Sequence, residues 1–151
     1  MSSGLGLIAT LLALGAPGAG AARAPVAGSA RVLRVRDEGR VHFVRSSGSQ
    51  IIDEGPIGGT LRGSTRVRFT YDGSPDVGAR FVIWGSGWSL GGYASGRLSN
   101  PASPDPSFRG SLTLTSGSGR YAHAQGSGEL FGVFNRRSYG LIVQAIGKLH
   151  Y

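Results

Sequence analysis

SGSGRYAHAQGSGELFGVFNRRSYGLIVQAIGKLHY, residues 116–151, decides the reading of this chain. Ser116-Gly117-Ser118-Gly119 reads as a tight turn, because glycine tolerates positive φ and loses much entropy on ordering. Residues 120–124, Arg-Tyr-Ala-His-Ala, suffice for one helical turn and no more. Residues 125–128 break the chain again. Residues 129–134 then alternate, with Leu130, Gly132 and Phe134 on one face and Glu129, Phe131 and Val133 on the other. Asn135-Arg136-Arg137 has hairpin length. Residues 138–151 form the longest strand candidate. Its odd positions, Tyr139, Leu141, Val143, Ala145, Gly147, Leu149 and Tyr151, make an apolar face that belongs against a core. Its even face is mixed.

Working outward, the same period of two recurs upstream. Residues 64–72 give the cleanest alternation, with Thr65, Val67, Phe69 and Tyr71 predicted inward and Arg66 and Arg68 outward. Residues 78–86 are apolar on both faces. Residues 88–99 carry Gly91, Gly92 and Gly96, which mark a bend or bulge. Residues 107–115 lead into the terminal stretch, and the proline-rich residues 100–106 form a loop. Near the start, 31–36 and 40–45 read as two strands turned or bulged at Asp37-Glu38-Gly39. Ile51-Ile52 reads as a short edge and Asp53-Glu54-Gly55-Pro56 as a turn; residues 57–62 follow, with a break at Gly63. About eight sequential strands and no amphipathic helix predict an all-β protein, an antiparallel up-and-down barrel in which closure removes the edges.

The run Gly117-Ser118-Gly119-Arg120-Tyr121-Ala122-His123-Ala124-Gln125-Gly126-Ser127-Gly128, followed by a hairpin and a long final strand, resembles the end of the allene oxide cyclase/dirigent barrel superfamily, including its small secreted bacterial members of unknown activity. The resemblance covers residues 107–151, about a third of the chain. It implies a barrel, association as dimers or trimers, and, for an enzyme, isomerase or cyclase chemistry. No stretch matches that family's catalytic pockets, so no catalytic residue is carried over.

The chain has 151 residues, enough for one domain with a sizeable core. Residues 1–21 read as a signal peptide: residues 5–16, LGLIATLLALGA, have the length of an export core and are too short to span a bilayer. Cleavage is expected after Ala21, residues 22–30 read as a linker, and residues 31–151 as the barrel domain, so the mature chain is expected to be secreted with no membrane span. There is no cysteine, which excludes thiol catalysis and cysteine-based metal sites. His42, His123 and His150 lack ligand spacing, so neither a metal nor a cofactor is expected.

Sixteen Lys and Arg against eight Asp and Glu give a net charge of +8. Arg66, Arg68, Arg136 and Arg137 are candidates for an anion-binding surface. No nucleic-acid-reading motif accompanies them. The aromatics Phe69, Tyr71, Phe81, Trp84, Trp88, Tyr93, Phe131 and Tyr139 are candidates for lining a cavity that takes a small hydrophobic or aromatic ligand. The outward apolar positions Ile142 and Ile146 suit a subunit contact. Three functions follow: a non-catalytic binding module, an isomerase or cyclase acting by ligand positioning, and a basic protein attaching to anionic polymers.

Overall fold

The computed structural model describes residues 30–151, so the expected signal peptide and all but the last residue of the expected linker lie outside the described residues. Eight strands follow in chain order: β1 (Val32–Ser47), β2 (Gln50–Gly59), β3 (Gly63–Thr70), β4 (Asp76–Gly85), β5 (Trp88–Ser99), β6 (Ser107–Gly119), β7 (Gln125–Asn135) and β8 (Gly140–His150). Each pairs antiparallel with the next, and β8 returns to β1 from Val32↔His150 to His42↔Gly140. The sheet is therefore a closed barrel without a free edge. The expected parity holds on β3, where Thr65, Val67 and Phe69 point inward between Arg66 and Arg68. It holds on β8, where Leu141, Val143 and Ala145 line the interior.

Three expected turns are strand instead. Asp37-Glu38-Gly39 lies within β1, which is continuous because it is paired on both sides, Asp37 with Gly59 on β2 and with Ala145 on β8. The Asp37 side chain turns inward and accepts a hydrogen bond from the Leu61 N–H at 2.9 Å, fastening the β2–β3 turn. Asp53-Glu54-Gly55-Pro56 lies within β2. The β1–β2 ladder passes from Gly39↔Ile57 to His42↔Glu54, and Pro56, with no N–H to donate, occupies the gap. Ser116–Gly119 extends β6 by pairing with the start of β5, Trp88 opposite Gly119 and Gly91 opposite Ser116. The expected bulge on β5 is present, between Gly91 and Gly92. β7 likewise starts at Gln125, earlier than the expected break allows, because Gln125 to Gly128 pair with β8.

The two ends of the barrel differ. One end is packed shut by Leu61, Trp88, Leu90, Leu114, Tyr121, Ala124 and Leu149. Residues 120–124 make the expected single turn, with the Ala124 N–H donating to Tyr121 O at 3.0 Å. That turn lays Tyr121 across the barrel end, edge-on to Trp88 at 5.1 Å and to Tyr151 at 5.0 Å. The guanidinium of Arg120 covers both Trp88 and Tyr121. Residues 31 and 151 are tied to each other at this end by two backbone hydrogen bonds.

The outer wall mixes charged residues with exposed apolar ones such as Val82, Val133, Ile142 and Ile146, and its ion pairs lie at the surface. Arg97 pairs with Asp76 at 2.8 Å with both side chains more than 60% exposed. Solvent screens such a pair. Arg97→Ala is expected to change the unfolding free energy by less than about 1 kcal/mol, measured by urea titration.

Candidate ligand cavity

Above the packed end the interior is hollow. A cavity of about 360 Å³ runs from Asp37 to the opposite end of the barrel, where the β3–β4, β5–β6 and β7–β8 connections lie. Its size follows from small inward residues. Ala79 and Ala94 are cross-strand neighbours on β4 and β5, both pointing inward, and Gly39, Gly96 and Ala145 occupy other inward positions. The wall is otherwise apolar: Val67, Phe69, Phe81, Leu112 and Leu130 line it and are only half-buried, because they border the hollow rather than a filled core. Phe108 lies over Gly132, where a Cβ would overlap its ring.

The mouth is aromatic on one side. Tyr139, with φ of 54° and 56% exposed, packs against Phe43 at 5.8 Å and Phe134 at 6.5 Å. Tyr71 and Arg136 also border the cavity. Arg136 donates to the carbonyl of Pro101, which ties the β7–β8 turn to the β5–β6 loop.

Two carboxylates are buried within this apolar barrel. Asp37 lines the cavity and is 4% exposed; its Oδ1 takes the Leu61 N–H, and its Oδ2 has no hydrogen-bond partner. Burial raises its pKa, and the N–H groups of Leu61 and Thr60 pull it back in part. Asp53 shares the inward face with Val67 and is 1% exposed, with neither oxygen partnered. Burial raises its pKa to about 6, against a smaller opposing pull from His42. Among the described residues, no cluster of His, Asp and Glu could hold a metal ion.

Of the eight aromatic candidates, Phe69, Tyr71, Phe81 and Tyr139 line the cavity. Trp88 belongs to the packed end. Trp84, Tyr93 and Phe131 take the outward parity of β4, β5 and β7 and do not line it. Arginines cover two of these: Arg66 lies over Trp84 and Arg109 over Phe131, at 5.9 and 5.0 Å. Phe108 and Phe134 line the cavity and escaped sequence reasoning, although the alternation already placed Phe134 beside Leu130.

The four arginine candidates are not brought together. Arg66 pairs with Glu54 and Arg68 stands opposite Arg80 on the outer wall, whereas Arg136 and Arg137 sit at the mouth. Ile142 and Ile146 are outward and 43% exposed. The chain matches no protein-family model, no curated protein and no solved structure.

Proposed function

We propose that this protein is a secreted binding module that holds a small, largely apolar ligand in the barrel lumen. The observation that carries the reading is the cavity itself: about 360 Å³, apolar-walled, shut at one end by a packed cluster and bordered at the other by Tyr71, Arg136 and Tyr139. Ligand pockets have this size and this ratio of apolar wall to few polar groups. Transfer of an apolar body from water into such a space is favourable by roughly 25 cal/mol per Å² of apolar surface buried. The apolar run at residues 5–16 supports export.

Native mass spectrometry of the mature protein purified from its host is the test. A retained small molecule is expected. It should be absent from the double variant Ala79→Phe/Ala94→Phe, whose two rings enter the lumen side by side from neighbouring strands. A wild-type protein and a filled variant of identical composition would count against the reading.

A second reading is an isomerase or cyclase that works by holding a reactive ligand's conformation. Asp37 favours it, because it puts a buried carboxylate in an aromatic-lined cavity. Incubating the retained ligand with fresh protein discriminates the two. Chemical conversion that Asp37→Asn abolishes supports the enzyme, and return of the unchanged molecule supports the binding module.

A further inference from the structure

The acidic residues are placed so that the outside of the barrel is left basic. Asp37 and Asp53 are buried inside. Glu38, Glu54 and Asp76 are held in ion pairs with Arg40, Arg66 and Arg97. Asp72 and Asp105 lie in the β3–β4 and β5–β6 connections. Among the described residues that leaves Glu129, on β7, as the acid of the outer wall outside those pairs.

The cations, by contrast, line up. The ladders set Arg45 on β1 opposite Ile52 on β2, Ile52 opposite Arg68 on β3, Arg68 opposite Arg80 on β4, and Arg80 opposite Tyr93 on β5. Residues directly opposite share a face of the sheet. Val67, Phe69, Ala79 and Phe81, beside Arg68 and Arg80 in sequence, line the lumen, so the row points outward. Arg45, Arg68 and Arg80 are exposed, and none belongs to the ion pairs of the described residues. Arg68 and Arg80 stand roughly 5 Å apart at the backbone, and Arg45 is two strands, roughly 10 Å, from Arg68. Like charges directly opposite destabilise a sheet, and no acid lies within this row to offset them.

Two features narrow what would offset them. Three of the eight strand-to-strand steps separate Arg45 from Arg80, so the row turns with the barrel through more than a third of its circumference. A flat bilayer cannot meet both ends of such a row, whereas a flexible chain can follow the curve. The second feature is the closeness of Arg68 and Arg80. Each guanidinium is a planar fork that takes two oxygens. The two oxygens of a carboxylate satisfy one fork. A sulfate or phosphate monoester has three terminal oxygens in a tetrahedral array and presents oxygens to both.

We propose that the outer wall carries a binding track for a flexible polymer with pendant sulfate or phosphate groups. Arg68 and Arg80 grip one group together, and Arg45 meets the next. Tyr93, 54% exposed at the end of the row, adds a hydroxyl donor. The track lies outside the barrel and does not depend on what the lumen holds.

Dextran sulfate, dextran phosphate and carboxymethyl dextran of matched charge density present three anionic groups on one backbone. Binding of each labelled polymer to the full mature protein is followed by fluorescence anisotropy as salt is raised. The sulfate or the phosphate polymer is expected to bind at low salt, to weaken steeply as salt rises, and to bind about tenfold or more tighter than the carboxymethyl polymer. The tighter of the two identifies the source of the group. Arg45→Gln/Arg68→Gln/Arg80→Gln is expected to lose about tenfold or more of that affinity. Arg62→Gln/Arg109→Gln/Arg137→Gln, which removes the same charge from outside the row, is expected to lose about threefold or less. Equal losses in the two variants would put the binding in net charge alone and overturn the track. So would carboxymethyl dextran binding as tightly as the other polymers, tighter capture by phosphatidylglycerol vesicles, or no binding of any polymer. Should the triple variant of the row not fold, Arg68→Gln against Arg62→Gln makes the same comparison with one charge.

Discussion

Leu90→Ala is expected to destabilise the barrel by about 2–5 kcal/mol, the range for a fully buried leucine truncated to alanine. Leu90 is 0% exposed and packs among Leu61, Trp88, Leu114, Tyr121 and Leu149 in the closed end. Its neighbours belong to different strands and to the 120–124 turn, so the void has little chance to collapse. The same truncation at Leu130, which borders the lumen and is only half-buried, is expected to be milder. Chemical denaturation of the two variants measures the contrast. Equal losses would mean that the lumen is filled as tightly as the closed end, against the account.

The second large effect is electrostatic. Burial raises the pKa of Asp53 in the fold to about 6, from an ordinary aspartate value of 3.8. Between those values the folded chain binds a proton that the unfolded chain has released, so stability falls as pH rises through this window. Below about pH 4 both states are protonated and the penalty is absent; above about pH 6 it is complete and constant. At roughly 1.4 kcal/mol per unit, the loss is on the order of a few kcal/mol. Asp37 shifts in the same direction and adds to it. Asp53→Asn is expected to flatten that part of the profile and to be more stable than the wild type at pH 7 to 8, measured by urea midpoints across pH. A wild-type profile that rises through the window would contradict the buried placement of Asp53.

The parts of the fold legible in the sequence were those in which one face of a strand is apolar and the other is not. Residues 64–72 and 138–151 show this, and their inward sides follow directly. The local reading failed where turn-forming residues occur inside a strand. Asp37-Glu38-Gly39 and Asp53-Glu54-Gly55-Pro56 carry turn chemistry, yet pairing on both sides holds each segment extended. That error concealed the two buried carboxylates, because an acid in a turn is solvated and an acid on an inward strand position is not.

The aromatic site was legible by parity rather than by composition. Phe69 points in and Tyr93 and Phe131 point out, as alternation from their neighbours dictates, whereas Phe81 sits on a strand apolar on both faces and Tyr139 in the β7–β8 turn, where alternation gives no side. What alternation cannot give is the division of the interior into a packed end and a hollow one. That division depends on which inward positions are small, Gly39, Ala79, Ala94 and Ala145, and on Tyr121 being carried across the opposite end by a turn.

The most direct test of the central claim is a fluorescence titration with the neutral apolar dye N-phenylnaphthylamine, comparing the wild type with Ala79→Phe/Ala94→Phe. The account predicts saturable, one-site enhancement in the wild type and its loss in a filled variant that remains folded by circular dichroism. Enhancement of equal size in both proteins, or none in the wild type, would contradict a ligand-holding lumen.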